Sequence, residues 1–189
     1  MTVRSATEQD LPAILDITND AILHGTALWS LAPVDLAARR AWMRERVGGG
    51  FPVLVAEHRG RVAGFASYGR FRPHEGYLHT VEHSLYVHPV ARGLGLGTAL
   101  LDALLADASA AGRHVMIGGI EATNQVSIAL HERAGFTPAA VLHQVGRKFG
   151  RWLDLLFMQK LIAPPPGPDP QGPPSLWPPG SVGPPVSVE

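Results

Sequence analysis

Two stretches of this 189-residue chain carry residue types whose spacing could do chemistry. In the first, His79-Thr80-Val81-Glu82-His83, a carboxylate stands among imidazoles. Its spacing is the H-x-x-E-H of a zinc peptidase group, in which two histidines bind metal and the glutamate activates water. In the second, Arg92-Gly93-Leu94-Gly95-Leu96-Gly97-Thr98, glycines permit close main-chain approach to a ligand. A helix starting there would add free N–H groups and a positive dipole end for phosphate oxygens.

The zinc reading needs a helix, where residues four apart share a face. The segment instead runs through Ser84-Leu85-Tyr86-Val87 to Pro89 with strand periodicity, so Glu82 faces away from His79 and His83. No metal is expected. Alternation groups Glu82 with Thr80, Ser84 and Tyr86 on one face, where the plainest role for it is a strand-edge charge paired with an arginine. The glycine loop fits neither common nucleotide motif. Three residues past Gly97 stands Leu100 rather than Gly or Ala, and no Gly-Lys-Ser/Thr follows. On its own it is a tight turn or a phosphate cradle.

The elements that must position these groups follow from periodicity. Val3 to Ala6 reads as a strand, and Thr7 opens a helix that buries Leu11, Ile14, Leu15 and Ile17. A second helix is expected from Pro33 to Arg46, ending at Gly48-Gly49-Gly50. Phe51 to Glu57 and Val62 to Gly69 form a hairpin about His58-Arg59-Gly60-Arg61, and His79 to Val87 is the next strand. Thr98 to Ala111 reads as a helix, His114 to Gly118 as a strand, Asn124 to Ala134 as a helix and Trp152 to Lys160 as a last strand. This order predicts an α/β (α+β) fold with a mixed central sheet.

Composition bounds the function. The chain has 16 Lys and Arg against 16 Asp and Glu, which makes no electrostatic case for nucleic acid or an acidic membrane. It has no cysteine, which excludes a thiolate nucleophile, a disulfide framework and a cysteine zinc site. No apolar run reaches the roughly 20 residues of a membrane span, and Met1 to Asp10 lacks a signal core, so a cytoplasmic protein is expected. Of the 17 prolines, those at 12, 33, 52, 73, 89 and 138 are the only ones before residue 163. A domain over 1–162 and a Pro/Gly-rich disordered tail over 163–189 are expected, the tail a solvated extension or a proline-recognition ligand.

Arg92-x-x-Gly95-x-Gly97 after a strand, with Asn124-x-x-Ser127 and His131-Glu132-x-x-Gly135-Phe136 some thirty residues on, resembles the GCN5-related N-acetyltransferase (GNAT) superfamily. Further stretches, from Ala21 to Trp29, His79 to Pro89, Ser127 to Arg133 and Val145 to Asp154, are similar to its phosphinothricin and methionine sulfoximine acetyltransferase branch. The resemblance covers residues 1 to about 161 and implies the GNAT fold. It also implies acetyl-CoA as co-substrate, acetylation of a small amino-acid-like acceptor by direct attack on the thioester, and a homodimer.

It assigns residues as well. The strand carrying Leu85, Tyr86 and Val87 would bulge and splay from its neighbour to admit the pantetheine arm. Arg92, Gly93, Leu94, Gly95, Leu96, Gly97 and Thr98 would hold the pyrophosphate, and Asn124 would meet the cofactor as well as capping a helix. Glu82 would be the base, directly or through water. His131 stands where many relatives have a tyrosine, and would be the acid for the leaving thiolate or pack on the cofactor. Arg72 would pair a substrate carboxylate in a loop with Glu75, Gly76 and Tyr77, and Trp29 would supply a wall. A non-catalytic acetyl-CoA-binding module would keep the glycine loop and Asn124 without needing Glu82.

Overall fold

The computed structural model describes residues 1–162; the predicted tail lies outside the described residues. Seven strands form one mixed sheet: β1 (Thr2–Ser5), β2 (Val53–His58), β3 (Arg61–Arg70), β4 (Thr80–Val87), β5 (Val115–Glu121), β6 (Thr137–Lys148) and β7 (Arg151–Leu161). They lie in the order β1-β2-β3-β4-β5-β7-β6, and β4 with β5 is the parallel pair. The helices are α1 (Leu11–His24), α2 (Leu36–Gly48), α3 (Leu96–Ala110) and α4 (Gln125–Arg133).

Alternation along β2 divides the core. Val53 and Val55 pack with Ile14 and Ile17 of α1 and with Trp42 and Met43 of α2. Leu54 and Ala56 join Leu96, Leu100, Leu101 and Leu104 of α3, with Ile128 and Leu130 of α4 packed alongside. The sheet is therefore covered on both faces, which is why its central strands read as unbroken apolar runs. The β2–β3 turn places Arg59 and Gly60 at φ 51° and 73°, the left-handed pair of a tight hairpin.

Several expectations change. The second helix begins at Leu36 rather than Pro33, because the Asp35 carboxylate accepts a bond from the Ala38 amide at 2.7 Å and sets the N-terminus there. β5 runs on past Gly118 to Glu121. β6 was not expected at all. It holds Pro138 and Gly146, is almost wholly exposed, and exists through its pairing with β7 across a turn with Phe149 and Gly150 at positive φ. The expected bulge in β4 is also absent from its ladder with β3, which is regular from Val81 to Val87; the strand parts from β5 instead.

Candidate active site

β4 and β5 pair from Thr80↔Val115 to His83↔Gly118, and there the ladder stops. Beyond it, β4 continues along β3 and β5 along β7, so the sheet opens between Ser84 and Gly119. Two consecutive glycines sit at this fork and face opposite ways. A Cβ on Gly119 would meet Glu82 Oε1 at 3.4 Å, and a Cβ on Gly118 would meet His83 Nε2 at 3.0 Å and His131 Nε2 at 3.2 Å. Glu82 thus lies at the fork on the α1/α2 face, and the two histidines lie at the same fork on the α3/α4 face. The H-x-x-E-H segment is a strand and turn, with His79 bonded to the Gly112 carbonyl at 3.2 Å.

Glu82 is half-buried, and burial raises its pKa above the ordinary carboxylate value against the opposing pull of Arg72 and Arg46. Tyr86, on the same face, is pushed up to about 12, first by burial, and keeps its proton at neutral pH. On the other face the bonding fixes the imidazole protons. The Ser127 carbonyl can only accept, so the 2.7 Å contact requires a proton on His131 Nδ1. The 3.0 Å contact between the two Nε2 atoms then takes its proton from His83, whose buried Nδ1 is left without a partner. Burial holds both imidazoles below the usual range, His83 at about 3.

A cavity of about 570 Å³ begins at Leu85, Tyr86 and Val87 and continues along Arg92, Gly93, Gly95, Leu96, Gly97 and Thr98 to Asn124. Leu94 is exposed and does not line it. Gly93 and Gly95 have φ 76° and 82°, with open space where side chains would stand. Asp35 and Asn124 cap α2 and α4, whereas no side chain caps α3 and no acid occupies its first turn. Its N-terminal amides are thus presented to the cavity, a donor set that fits a diphosphate. The Asn124 side-chain oxygen Oδ1 accepts from the Ser127 amide at 3.1 Å, so its capping role is realised at the cavity wall.

The five residues predicted for the acceptor stand outside this cavity. Arg72 is exposed, its guanidinium 4.1 Å from the Phe71 ring centroid, and still acts on the Glu82 charge. Glu75, Gly76 and Tyr77 form a short exposed turn, with Tyr77 edge-on to Phe71. Trp29 lies against Gly146 of β6, where a Cβ would fall 2.2 Å from its ring, and its Nε1 donates to the Thr26 carbonyl at 2.8 Å. The loop carrying it is tied by Lys148 of β6, a buried ammonium that donates to the carbonyls of Ala21, Gly25 and Leu28. Burial lowers the Lys148 pKa.

His83, Gly118, Gly119 and Lys148 were not among the predicted site residues. The consecutive glycines inside an apolar strand were the readable signal for close approach there. Lys148 had none, since its strand was itself unexpected.

A sheet forked beside a paired carboxylate face and imidazole face, next to an uncapped glycine-led helix, is the architecture of an acyl-CoA-using transferase. The chain belongs to the acetyltransferase (GNAT) family, whose model matches residues 13–136. It is 52% identical over 164 residues, 86% of this chain and 95% of the relative, to the L-methionine sulfoximine/L-methionine sulfone acetyltransferase of Pseudomonas aeruginosa. The structure of yncA from Salmonella typhimurium with its cofactor acetyl-CoA is 49% identical, with TM-score 0.87 over 90% of this chain and 98% of that one. A ribosomal-protein-alanine N-acetyltransferase from Brucella melitensis is 54% identical, with TM-score 0.84 over 85% and 99%. The chain is an N-acetyltransferase, and acetyl-CoA is its co-substrate.

Proposed function

We propose that the protein acetylates the α-amino group of a small amino-acid-like acceptor of the methionine sulfone, methionine sulfoximine or phosphinothricin kind. The observation that carries this reading is the fork itself. A half-buried carboxylate stands at its closed end, and the cavity that fits a diphosphate begins beside the opened strand, between α1 and the start of α3.

Acetyl-CoA supplies the acetyl group as a thioester. Glu82, raised by burial, takes the proton of the acceptor ammonium directly or through water, and so frees the nitrogen lone pair. The nitrogen–carbon bond forms as the carbon–sulfur bond breaks and the electron pair leaves with sulfur; the nitrogen sheds its second proton through water to the departing thiolate, and Glu82 releases the first to solvent. The β4 main chain from Ser84 to Val87, released from β5, orients the thioester carbonyl. Gly93, Gly95, Gly97 and Thr98 hold the diphosphate, Arg92 adds charge, and Asn124 meets the pantetheine end. Both ring nitrogens of His131 are engaged, which favours packing on the cofactor as a neutral group over donation to sulfur. Arg72, with Glu75, Gly76, Tyr77 and Trp29, borders the acceptor. The reading carries a cytoplasmic location, and a homodimer is supported by exposed Val141, Leu142, Val145 and Trp152 around β6.

The test is release of free coenzyme A by the purified protein, with L-methionine sulfone, L-methionine sulfoximine, phosphinothricin and a peptide with N-terminal alanine as acceptors. Turnover with the small acceptors is expected. Turnover of the peptide alone would move the acceptor class to protein termini, and acetyl-CoA binding without any turnover would leave a binding module.

A further inference from the structure

Helix α2 lies over the Glu82 face, and none of its residues is fully buried. Its inward stripe, at helical spacing, is Arg39, Trp42, Met43 and Arg46. The Arg46 guanidinium lies on the backbone of Gly69, where a Cβ would fall 1.4 Å from Nη1, and Gly69 is the direct partner of Glu82 across the β3–β4 ladder. Arg39 lies 4.5 Å from the Trp42 ring centroid, and Trp42 packs edge-on to Phe65, the cross-strand partner of Tyr86. The two arginines therefore flank β4 over the stretch from Glu82 to Tyr86, on the face opposite the histidine pair.

Neither guanidinium makes a hydrogen bond or ion pair with another described residue, and the Nε of each is buried without a partner. The outward arginines of the same helix differ. Arg40 Nε donates to Glu8 at 2.8 Å, and Arg44 stands 3.9 Å from the same carboxylate. Half-buried guanidinium groups without an anion lose hydration and gain no partner, an arrangement that an incoming carboxylate would complete. Arg46 and Arg72 act on the single carboxylate of Glu82, and Arg39 lies beside Tyr86, further along the same face.

We infer that Arg39 and Arg46 form an anion subsite that receives the carboxylate of the acceptor and turns its ammonium group toward Glu82. The inference rests on the acetyl-transfer reading for the identity of the acceptor, and it adds two specificity residues outside the loop of Arg72. A planar fork suits a carboxylate, and a helix without buried residues can adjust onto a bound acceptor.

The experiment compares L-methionine sulfone with its carboxamide, which keeps the amine and lacks the anion, in the full chain and in Arg39→Met, Arg46→Met and Arg46→Lys. The chain should prefer the acid. Each Met variant should lower kcat/KM for the acid by about 10- to 100-fold, chiefly through KM, with little change for the amide, so that the preference collapses. Arg46→Lys should recover part of it. Thermal melts and acetyl-CoA binding identify a variant that has failed to fold, and the Lys variant then decides. Equal use of acid and amide by the parent chain, or equal loss of both in the variants, would overturn the subsite. If no acceptor turns over, acetyl transfer fails as a reading. Calorimetric binding of methionine sulfone still decides the subsite in that case, and binding unaffected by either Met variant would overturn it.

Discussion

The two faces of the sheet at Gly118 and Gly119 are built on opposite principles. On the α3/α4 side His83 and His131 are buried and bonded to each other, one of them also to a carbonyl, and they stack with ring centroids 5.0 Å apart. On the α1/α2 side Glu82 is half-buried among arginines with which it forms no close ion pair. The first face is nearly satisfied without a ligand, as suits a wall that fixes the cofactor arm. The second holds unspent charge, as suits a surface that waits for a zwitterion. The asymmetry divides two tasks that meet at one gap, holding the acyl donor in place and freeing the acceptor nitrogen beside it.

The comparison breaks most sharply at Glu82. Replacing it with Gln keeps the shape and removes the base, so kcat should fall by about 10²- to 10⁴-fold while acetyl-CoA affinity measured by calorimetry stays close to that of the parent. An unchanged kcat with chemistry rate-limiting would take the base role from Glu82.

The adjacent glycines give the next effect. Gly118→Ala puts a methyl group 3.0 Å from one packed imidazole and 3.2 Å from the other, and neither ring can retreat without losing its bond. Overpacking of this kind costs about 1–3 kcal/mol, visible as a lower melting temperature and as reduced kcat/KM. Gly119→Ala meets Glu82 Oε1 at 3.4 Å, an ordinary contact on an exposed position, and should leave the melting temperature within about a degree of the parent, since surface changes rarely exceed ~0.5 kcal/mol. Equal destabilisation by the two would show that the faces are packed alike.

Much of this arrangement is legible in the amino-acid sequence. The glycine loop, the β4 strand with Glu82, and Asn124 at a helix start are all local signals, because turn chemistry, alternation and capping act within a few residues. What escaped depends on distant pairing. β6 is an exposed edge that forms only against β7, and with it came Lys148 and the seat of Trp29. His83 looked like half of a metal motif because its true partner, His131, lies on a helix far along the chain. Arg39 and Arg46 share a helical stripe with Trp42 and Met43, which periodicity could have shown; charged residues on a helix are read as outward by default.

The smallest effect separates the faces by pH. For the histidines the folded-state pKa values lie below the unfolded ones. Their contribution to stability is therefore complete above the unfolded value, near 6.5, and is lost as pH falls toward the folded ones. The melting temperature should decline on acidification from pH 7 to 4, and less steeply in His83→Asn, which removes one of the two buried imidazoles. For Glu82 the sign is opposite: its raised pKa penalises the folded state once the carboxylate ionises, so replacement by Gln should raise stability slightly at pH 7 and not at pH 4. The rate should follow Glu82 alone, with kcat/KM falling on the acid side at a pH above the ordinary carboxylate range. If the acid limb of the rate moved with His83→Asn while Glu82 was intact, the imidazole face would be taking part in proton transfer, and the division of labour between the two faces would have to be abandoned.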